Sequence, residues 1–251
     1  MFSALEADGY FQEQFGYECV DAGFVPGSVG TDLQAELTLT LRKPHLWPIQ
    51  RTIDDWIEDD LFDMTEFLFD NVSKPTQRYY HDYSSCGWHC SEFDRDEGRR
   101  EFRQKVNRIL KSYDSGFELS EGGEVLALAP TGFEALLDAE LPGADEENIS
   151  IRVDAAIEKF RRHRASIEDR KDAVRDLADV LEYLRPKLKV ALFSKDEQDL
   201  YNIANNFGIR HHNVDQKVGY DKAIWLSWVF YYYLATIHAA VRLIERDSGG
   251  A

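Results

Sequence analysis

One loop of the sequence carries three side chains whose chemistry suits a reaction at a phosphate. In NNFGIRHHNVDQ, residues 205–216, Arg210 is a permanent cation, and His211 and His212 titrate near neutrality. Cleavage of RNA through its 2′-hydroxyl needs a base, an acid and a cation that stabilises the charged intermediate. Asn213 and Gln216 follow closely enough to orient these groups. The loop is a candidate active site, with the alternative that its His and Asn only cap helix ends.

A second group of side chains is basic within an acidic chain. Arg161, Arg162 and Arg164 lie in KFRRHR, and further cations follow in DRKDAVR. This local reversal of charge favours binding of the phosphates of RNA or of a nucleotide. Acidic residues such as Glu158 and Asp172 lie at helical spacing from the cations. A solvated, salt-bridged helix surface is therefore the alternative.

A third group has the side chains that bind zinc. HDYSSCGWHC contains His81, Cys86, His89 and Cys90 within ten residues. The two cysteines are spaced Cys-x3-Cys rather than as the tighter zinc-knuckle pair, and the neighbours His89 and Cys90 cannot easily reach one ion. The sequence therefore favours a packed loop with small buried thiols, and we expect no metal and no other cofactor.

Composition indicates a globular, acidic protein. The chain has 251 residues, is 43% hydrophobic and carries a formal net charge of −17. This charge repels nucleic acid at long range and so disfavours a general binder of duplex nucleic acid, although a local basic site for RNA is compatible with it. Three cysteines are too few for a disulfide scaffold, which favours a reducing compartment.

Two segments bear on localisation. The first residues, MFSALEADGYFQEQ, lack the basic and apolar regions of a signal peptide. Residues 223–241 are uncharged and long enough to span a membrane. Tyrosines, Ser227 and His238 interrupt this segment, and its Tyr and Trp residues are not confined to its ends. A helix buried in the centre of a bundle is the favoured interpretation.

The first part of the chain predicts a small α+β region, residues 1–142. Alternating leucines in residues 32–42 indicate a half-buried strand, and helical spacing in residues 46–72 and 98–113 indicates helices. Residues 73–94 have no clear period and are interpreted as a loop. GFELSEGGEVLALAP predicts a β-hairpin over about residues 117–129, and residues 142–148 are interpreted as a linker.

The helix predicted in residues 46–72 has an acidic face. It carries Asp54, Asp55, Glu58, Asp59 and Asp60. A solvated helix face is the simplest interpretation, and a docking patch for a basic protein is the alternative.

Residues 143–248 predict an antiparallel helical bundle. Apolar residues recur at helical spacing in four segments, which begin near Ile149, Val174, Leu200 and Ala223. Pro186 interrupts the second segment late. We therefore predict a mainly α protein, in which an antiparallel four-helix bundle follows the α+β region.

The sequence resembles two related groups of bacterial proteins. An Arg–polar pair, here Arg210 and His211, between the third and fourth helices of a bundle resembles the HEPN superfamily. The pieces CGWH, FDRDEGRREFRQKVNRILKSY and GFELSEGGEVLAL resemble the N-terminal region of abortive-infection proteins of the AbiJ type. This resemblance implies a metal-independent endoribonuclease whose site forms across a homodimer, from the Arg and His of both chains.

The chain departs from the HEPN pattern at one position. Gln216 stands where the family has its catalytic His, and glutamine cannot exchange a proton near neutrality. Three interpretations stay open. His212 has taken over the role, the domain binds without cleaving, or the likeness is that of a generic bundle.

We therefore expect a cytoplasmic component of bacterial antiviral or abortive-infection defence that acts on RNA. As an endoribonuclease it would use Arg210 to stabilise the phosphorane, with His211 or His212 as acid and base. The alternative is a non-catalytic HEPN-like module that binds RNA, a nucleotide or a protein. We expect a homodimer, no membrane association, and residues 54–60 as the site for any basic protein partner.

Overall fold

The protein is mainly α-helical and divides into two compact units. The computed structural model describes residues 1–143, 145–191 and 221–249. The N-terminal unit is Met1–Val125 and the C-terminal unit is Leu126–Ala251. Our sequence-based boundary lay near residue 142. The division of the structure falls earlier, inside the last strand of the predicted hairpin.

The N-terminal unit combines six helices with small antiparallel sheets. The helices are α1 (Phe2–Ala7), α2 (Gln12–Phe15), α3 (Leu33–Leu41), α4 (Ile49–Thr52), α5 (Glu58–Asn71) and α6 (Arg95–Leu110). The strands are β1 (Tyr17–Cys19), β2 (Gly23–Val25), β3 (Lys74–His81), β4 (Gly87–Asp94) and β5 (Phe117–Leu119), and β6 (Val125–Ala127) begins at the last residue of this unit and continues into the C-terminal unit. Strands pair as β1–β2, β3–β4 and β5–β6, so each sheet is a hairpin. The predicted hairpin over residues 117–129 is confirmed.

The two long helices of this unit form as their apolar spacing predicts. Helix α6 buries Phe102, Val106 and Leu110 on one face, and the carboxylate of Asp94 caps its first turn by accepting from the Glu97 amide at 2.9 Å. Helix α5 buries Phe67, whose ring stacks 6.0 Å from that of Phe15. Both helices therefore bury an apolar face within the N-terminal unit.

The prediction of a strand over residues 32–42 is wrong, because this segment forms helix α3. The carboxylate of Asp32 accepts from the Ala35 amide at 2.9 Å and so begins a helix. Only Leu37 is buried in α3, whereas Leu39 is 77% exposed. The alternating leucines therefore did not reflect alternating burial.

The loop predicted over residues 73–94 is also wrong, because it contains the β3–β4 hairpin. Tyr79 pairs with His89 and Tyr80 pairs with Trp88 across the two strands. Register shifts near Gln77 interrupt the ladder. Polar and aromatic side chains occupy both faces, so the strands lack the apolar alternation that predicts a sheet.

The acidic face predicted on residues 54–60 is solvated only in part. Asp54, Asp55, Glu58 and Asp59 are exposed. Asp60 is buried and ion-paired, because Lys43 Nζ lies 2.6 Å from its Oδ1 and 2.8 Å from Oδ2 of the buried Asp63. Asp60 is thus part of an internal ion pair, which fixes the segment before α4 against α5.

The C-terminal unit is built on three long helices among the described residues. They are α8 (Ile151–Arg161), α9 (Ile167–Ala191) and α10 (Lys222–Gly249), and the one-turn helix α7 (Glu134–Leu137) precedes them. Their apolar faces share one core, in which the rings of Phe160 and Phe230 stack 3.9 Å apart. Pro186 does not end α9, which continues to Ala191. The segment beginning near Leu200, predicted as a further helix, lies outside the described residues.

Helix α10 contains a stretch that could cross a membrane by length and composition. This stretch is Ala223–Arg246. One side of the helix lies in the core, where Phe230, Leu234 and Ile237 are fully buried. The core helix of a soluble protein has the same properties, so the expected absence of membrane association stays a prediction.

A small ionic cluster joins β3, α6 and the turn between α1 and α2 in the N-terminal unit. Lys74 Nζ on β3 lies 2.8 Å from Glu101 Oε1 on α6, and the Tyr10 hydroxyl donates to Glu101 Oε2. The hydrogen bond from Lys74 and then that from Tyr10 lower the pKa of Glu101 from 4.5 to about 2. A carboxylate with a lowered pKa stabilises the fold above its unfolded pKa and loses that contribution as the pH falls.

Substitution of Glu101 tests this cluster. Glu101→Gln should lower the free energy of unfolding at pH 7 by about 1–3 kcal/mol, because Gln cannot pair with the Lys74 ammonium. The variant should also lose less stability than the wild type between pH 4.5 and pH 2, the window over which Glu101 takes up its proton. Urea denaturation at several pH values measures both effects.

Glu92→Gln is the matched control, because Glu92 is exposed on β4. It should change the free energy of unfolding by less than about 0.5 kcal/mol. Equal effects of the two substitutions would contradict a stabilising role for the cluster.

Candidate metal centre

Two hairpins bring four metal-binding side chains together in the N-terminal unit. Cys19 ends β1 in the β1–β2 hairpin. His81 ends β3, Cys86 lies in the connection to β4, and His89 lies on β4. We call these four residues the Cys2His2 cluster. The two hairpins are far apart in sequence, because Cys19 and His81 are separated by 62 positions.

The four donor atoms are close enough to hold a single ion. All of them lie within 4.8 Å of one another. Cys19 Sγ is 3.8 Å from His81 Nδ1, and Cys86 Sγ is 3.2 Å from His89 Nε2. Donors around a tetrahedral zinc ion are separated by about 3.3–3.8 Å, given Zn–S and Zn–N bonds of about 2.3 and 2.0 Å. Only small side-chain shifts are needed to close this set around one ion.

Both histidines are oriented by a second hydrogen bond. His81 Nε2 lies 3.2 Å from Asp21 Oδ2, which leaves Nδ1 to face Cys19. His89 Nδ1 lies 3.1 Å from the Tyr79 hydroxyl, which leaves Nε2 to face Cys86. Histidines that bind metals in proteins are held in this way, with the nitrogen that does not bind the metal on an oxygen partner.

A backbone amide supports one of the sulfurs. The Val20 amide, which follows Cys19, donates to Cys86 Sγ at 3.3 Å. This hydrogen bond holds the sulfur of Cys86 in position beside the other three donors. The same bond also joins the β1–β2 hairpin to the connection between β3 and β4.

The connection that carries Cys86 has an unusual backbone. Ser84 and Ser85 have φ values of 51° and 56°, and Gly87 has a φ of +112°. Side chains other than glycine rarely adopt positive φ, and such strain tends to occur where a site requires a particular geometry. Here the turn brings the side chain of Cys86 back to that of His89.

The cluster is partly shielded from water. His89 is 2% exposed, and the other three ligands are half-buried. The ring of Tyr17 packs 4.5 Å from the ring of His89, and Tyr79 covers another side. This environment protects the donors and leaves a route by which an ion can enter.

Cys90, which the sequence grouped with His81, Cys86 and His89, is not part of the cluster. Adjacent strand residues point to opposite faces, so Cys90 points away from His89. Its amide donates to Gln12 Oε1 at 2.9 Å, and its sulfur packs against Gly9, where an added Cβ would lie 2.6 Å away. Burial raises the pKa of the Cys90 thiol, which keeps it protonated.

Cys19 is the ligand that the sequence analysis missed. It lies in another hairpin, and no local spacing connects it to HDYSSCGWHC. Its only signal in the sequence is that it is the third cysteine of a chain with no disulfide scaffold. The expectation of a loop packed around small thiols did not include a tertiary partner from so far away.

The other predicted site residues lie in the C-terminal part of the chain. Arg210, His211, His212, Asn213 and Gln216 are outside the described residues. The prediction that they form a site is therefore not tested by the described structure.

The predicted basic group around α8 lies within the described part. Arg161 Nε donates to the Ala127 carbonyl at 2.9 Å, Arg162 forms an isolated bridge with Leu126, and Arg164 lies in the following turn. Nearby, Lys159 is ion-paired with Asp176. At least some of these basic side chains therefore serve contacts within the unit, as expected for a salt-bridged helix surface.

No family model, no curated protein and no solved structure matches this chain. The resemblance to HEPN and AbiJ-type proteins stays a prediction. The geometry of the Cys2His2 cluster therefore carries the functional argument.

The oxygen partners of the two histidines give a testable consequence. Asp21→Asn and Tyr79→Phe should each weaken zinc binding by about 10- to 100-fold, because they remove the groups that orient His81 and His89. Competition with a chromophoric chelator measures the affinity. Asp82→Asn is the control, because Asp82 is an exposed carboxylate in the same hairpin. Equal zinc affinities in all three variants would contradict this role of Asp21 and Tyr79.

Proposed function

We propose that the N-terminal unit is a zinc-binding module, in which one Zn²⁺ ion joins the β1–β2 hairpin to the β3–β4 hairpin. The observation that carries this proposal is the convergence of Cys19, His81, Cys86 and His89 within 4.8 Å. Two thiolates and two imidazoles form a donor set typical of structural zinc.

The donor set discriminates among metals. Thiolates disfavour Mg²⁺ and Ca²⁺, which prefer oxygen ligands. In a two-iron cluster with two Cys and two His ligands, the two cysteines bind one iron and the two histidines bind the other. The two pairs of donors then lie further apart than donors that share one ion. The compact set therefore fits a single tetrahedral ion.

A structural role fits better than catalysis at the metal. Four protein donors complete a tetrahedral shell and leave no position for water or substrate. A two-stranded hairpin is marginally stable by itself, and the three-residue strands β1 and β2 are especially short. The ion would supply stability that these strands lack, so metal binding and folding of this part are coupled.

Metal analysis of purified protein tests the proposal. We expect one zinc per chain in the wild type, and loss of zinc in Cys19→Ser, because the fourth ligand is then missing. Cys90→Ser is the matched control and should retain zinc, since Cys90 points away from the cluster. Elemental mass spectrometry measures the zinc content. Thermal denaturation should show a lower Tm for Cys19→Ser than for Cys90→Ser.

Two results would contradict the proposal. One is wild-type protein that neither contains zinc nor takes it up on refolding. The other is loss of zinc in Cys90→Ser with retention in Cys19→Ser, which would favour a ligand set restricted to HDYSSCGWHC.

For the C-terminal unit we propose a HEPN-like four-helix bundle that acts on RNA as a component of bacterial defence. The packing of α8, α9 and α10 around one core supports this proposal, because the candidate residues Arg210, His211 and His212 then lie in the segment between α9 and α10. If the protein is an endoribonuclease, this segment from each of the two chains of a homodimer would contribute to the active site. The non-catalytic alternative binds RNA with the same residues.

An RNA cleavage assay tests this second proposal. Wild-type protein and Cys90→Ser should cleave total bacterial RNA without added divalent metal, whereas Arg210→Ala and His212→Ala should lose at least about 100-fold in rate. Size-exclusion chromatography should give a dimer for all four proteins. RNA bound but not cleaved by a folded dimer would favour the non-catalytic module, and neither binding nor cleavage would overturn the proposal.

A further inference from the structure

The N-terminal unit contains a cavity that is separate from the ligand positions of the Cys2His2 cluster. Its volume is about 750 Å³, within the range of sites for small molecules, about 300–1,000 Å³. Helix α2, the β1–β2 hairpin, the start of α3 and Trp47 contribute to its lining. Every lining residue belongs to the N-terminal unit, so the cavity is a property of this unit alone.

One wall of the cavity is aromatic. Phe11 and Phe15 stack with ring centroids 5.3 Å apart, and Trp47 meets Phe15 edge-on at 6.0 Å. Tyr17 and Phe24 extend this aromatic lining onto the β1–β2 hairpin. Both faces of the Phe15 ring are covered, by Phe11 and by Phe67, so a ligand would use the other aromatic rings of the lining. Aromatic faces bind apolar groups, and they also attract cations through the negative charge above the ring.

The charged residues of the lining are all acidic. They are Glu6, Glu18 and Asp32, and the described residues that line the cavity include no Lys, Arg or His. Unlike Asp60, which is paired with Lys43, these carboxylates have no cation within the cavity to balance them. All three belong to residues that are exposed to solvent, and together they give the lining a net negative charge.

The surroundings of two of these carboxylates bear on the sign of the charge that a ligand would carry. Asp32 Oδ1 accepts from the Ala35 amide, so this carboxylate already offsets the positive end of α3, which would otherwise attract an anion. Although Glu6 as a whole is exposed, partial desolvation of its carboxyl raises its pKa above 4.5, and the hydrogen bond from Gln50 opposes this only in part. A cation beside Glu6 would relieve that unfavourable desolvation.

We propose that this cavity binds an organic cation, namely an ammonium group carried on an apolar body. A neutral apolar ligand would fill the aromatic wall but would desolvate the carboxylates without compensation. An anion would be repelled by all three carboxylates. Only a cation gains from the aromatic faces and from the carboxylates together.

A matched series of ligands tests the charge preference. Benzyltrimethylammonium, benzyl alcohol and phenylacetate share a benzyl body and differ in charge. Isothermal titration calorimetry of the purified, intact protein should show benzyltrimethylammonium binding at least about tenfold more tightly than benzyl alcohol, with phenylacetate the weakest. Added salt should weaken the binding of the cation.

Conservative substitutions test the assignment to this cavity. Glu18→Gln with Asp32→Asn should weaken the binding of benzyltrimethylammonium by about tenfold, because both negative charges are removed. Asn caps a helix as well as Asp does, so α3 should remain intact. Glu92→Gln is the control, since Glu92 is exposed on β4 and does not line the cavity, and it should leave the affinity unchanged.

A fourth ligand distinguishes two sources of the same ammonium chemistry. N-acetyl-trimethyllysine amide carries the headgroup on a lysine side chain. Tighter binding than that of benzyltrimethylammonium favours a cation carried by a protein, and weaker binding favours a free small molecule. Either result supports a site for an organic cation.

Several results would overturn the proposal. They are equal affinities for the cation and the alcohol, tightest binding of phenylacetate, no saturable binding of benzyltrimethylammonium, and unchanged affinity in the double variant. Circular dichroism of the double variant ensures that a loss of affinity is not a loss of fold.

Discussion

The N-terminal unit depends on holding together two hairpins that are distant in sequence. The link between Cys19 and His81 closes a loop of 62 residues. By the relation used for covalent cross-links, closing a loop of this length removes about 4 kcal/mol of chain entropy from the unfolded state. Strands of three residues cannot offset such a cost by their own backbone hydrogen bonds. We therefore propose that metal coordination is the interaction that holds the two hairpins together.

The same constraint explains the polar character of the hairpins. Two imidazoles and two thiols face one another where a packed core would have apolar side chains. The positive φ values of Ser84 and Ser85 add strain to the connection. A bound ion would give these features a common reason, because it would offset the burial of polar groups and would fix the geometry that the strained turn provides. The β1–β2 hairpin also lines the acidic cavity, through Tyr17, Glu18 and Phe24. The position of the β1–β2 hairpin therefore affects both the Cys2His2 cluster and the acidic cavity.

The C-terminal unit is stabilised in a different way. Its three long described helices bury apolar faces in one core, which contains the stacked rings of Phe160 and Phe230. Ser166 and Asp169 cap α9 reciprocally, with the Ser166 amide donating to Asp169 and the Asp169 amide donating to the Ser166 hydroxyl. These interactions are local or follow from the helical repeat, and they need no ion.

The sequence alone determined the elements whose burial follows a simple period. Helices α5, α6, α8, α9 and α10 have apolar residues at helical spacing, and a pair of glycines marks the turn of the β5–β6 hairpin. A helix that buries one face must repeat its apolar residues every three or four positions, so the pattern is visible without the fold. The segment 32–42 shows the limit of this reasoning. Its leucines alternate, but a cap at Asp32 and the exposure of Leu39 make it a helix.

Only the tertiary structure decided the composition of both proposed sites in the N-terminal unit. Cys19 joins the Cys2His2 cluster and Cys90 leaves it, because strand pairing determines which side chains point to the same face. The acidic cavity likewise gathers Glu6, Glu18 and Asp32 from three separate segments. The sequence supplied the donor types, but spacing along the chain carries no information about which distant segments meet. That information arises when the hairpins and helices pack, and it determines which residues can act together.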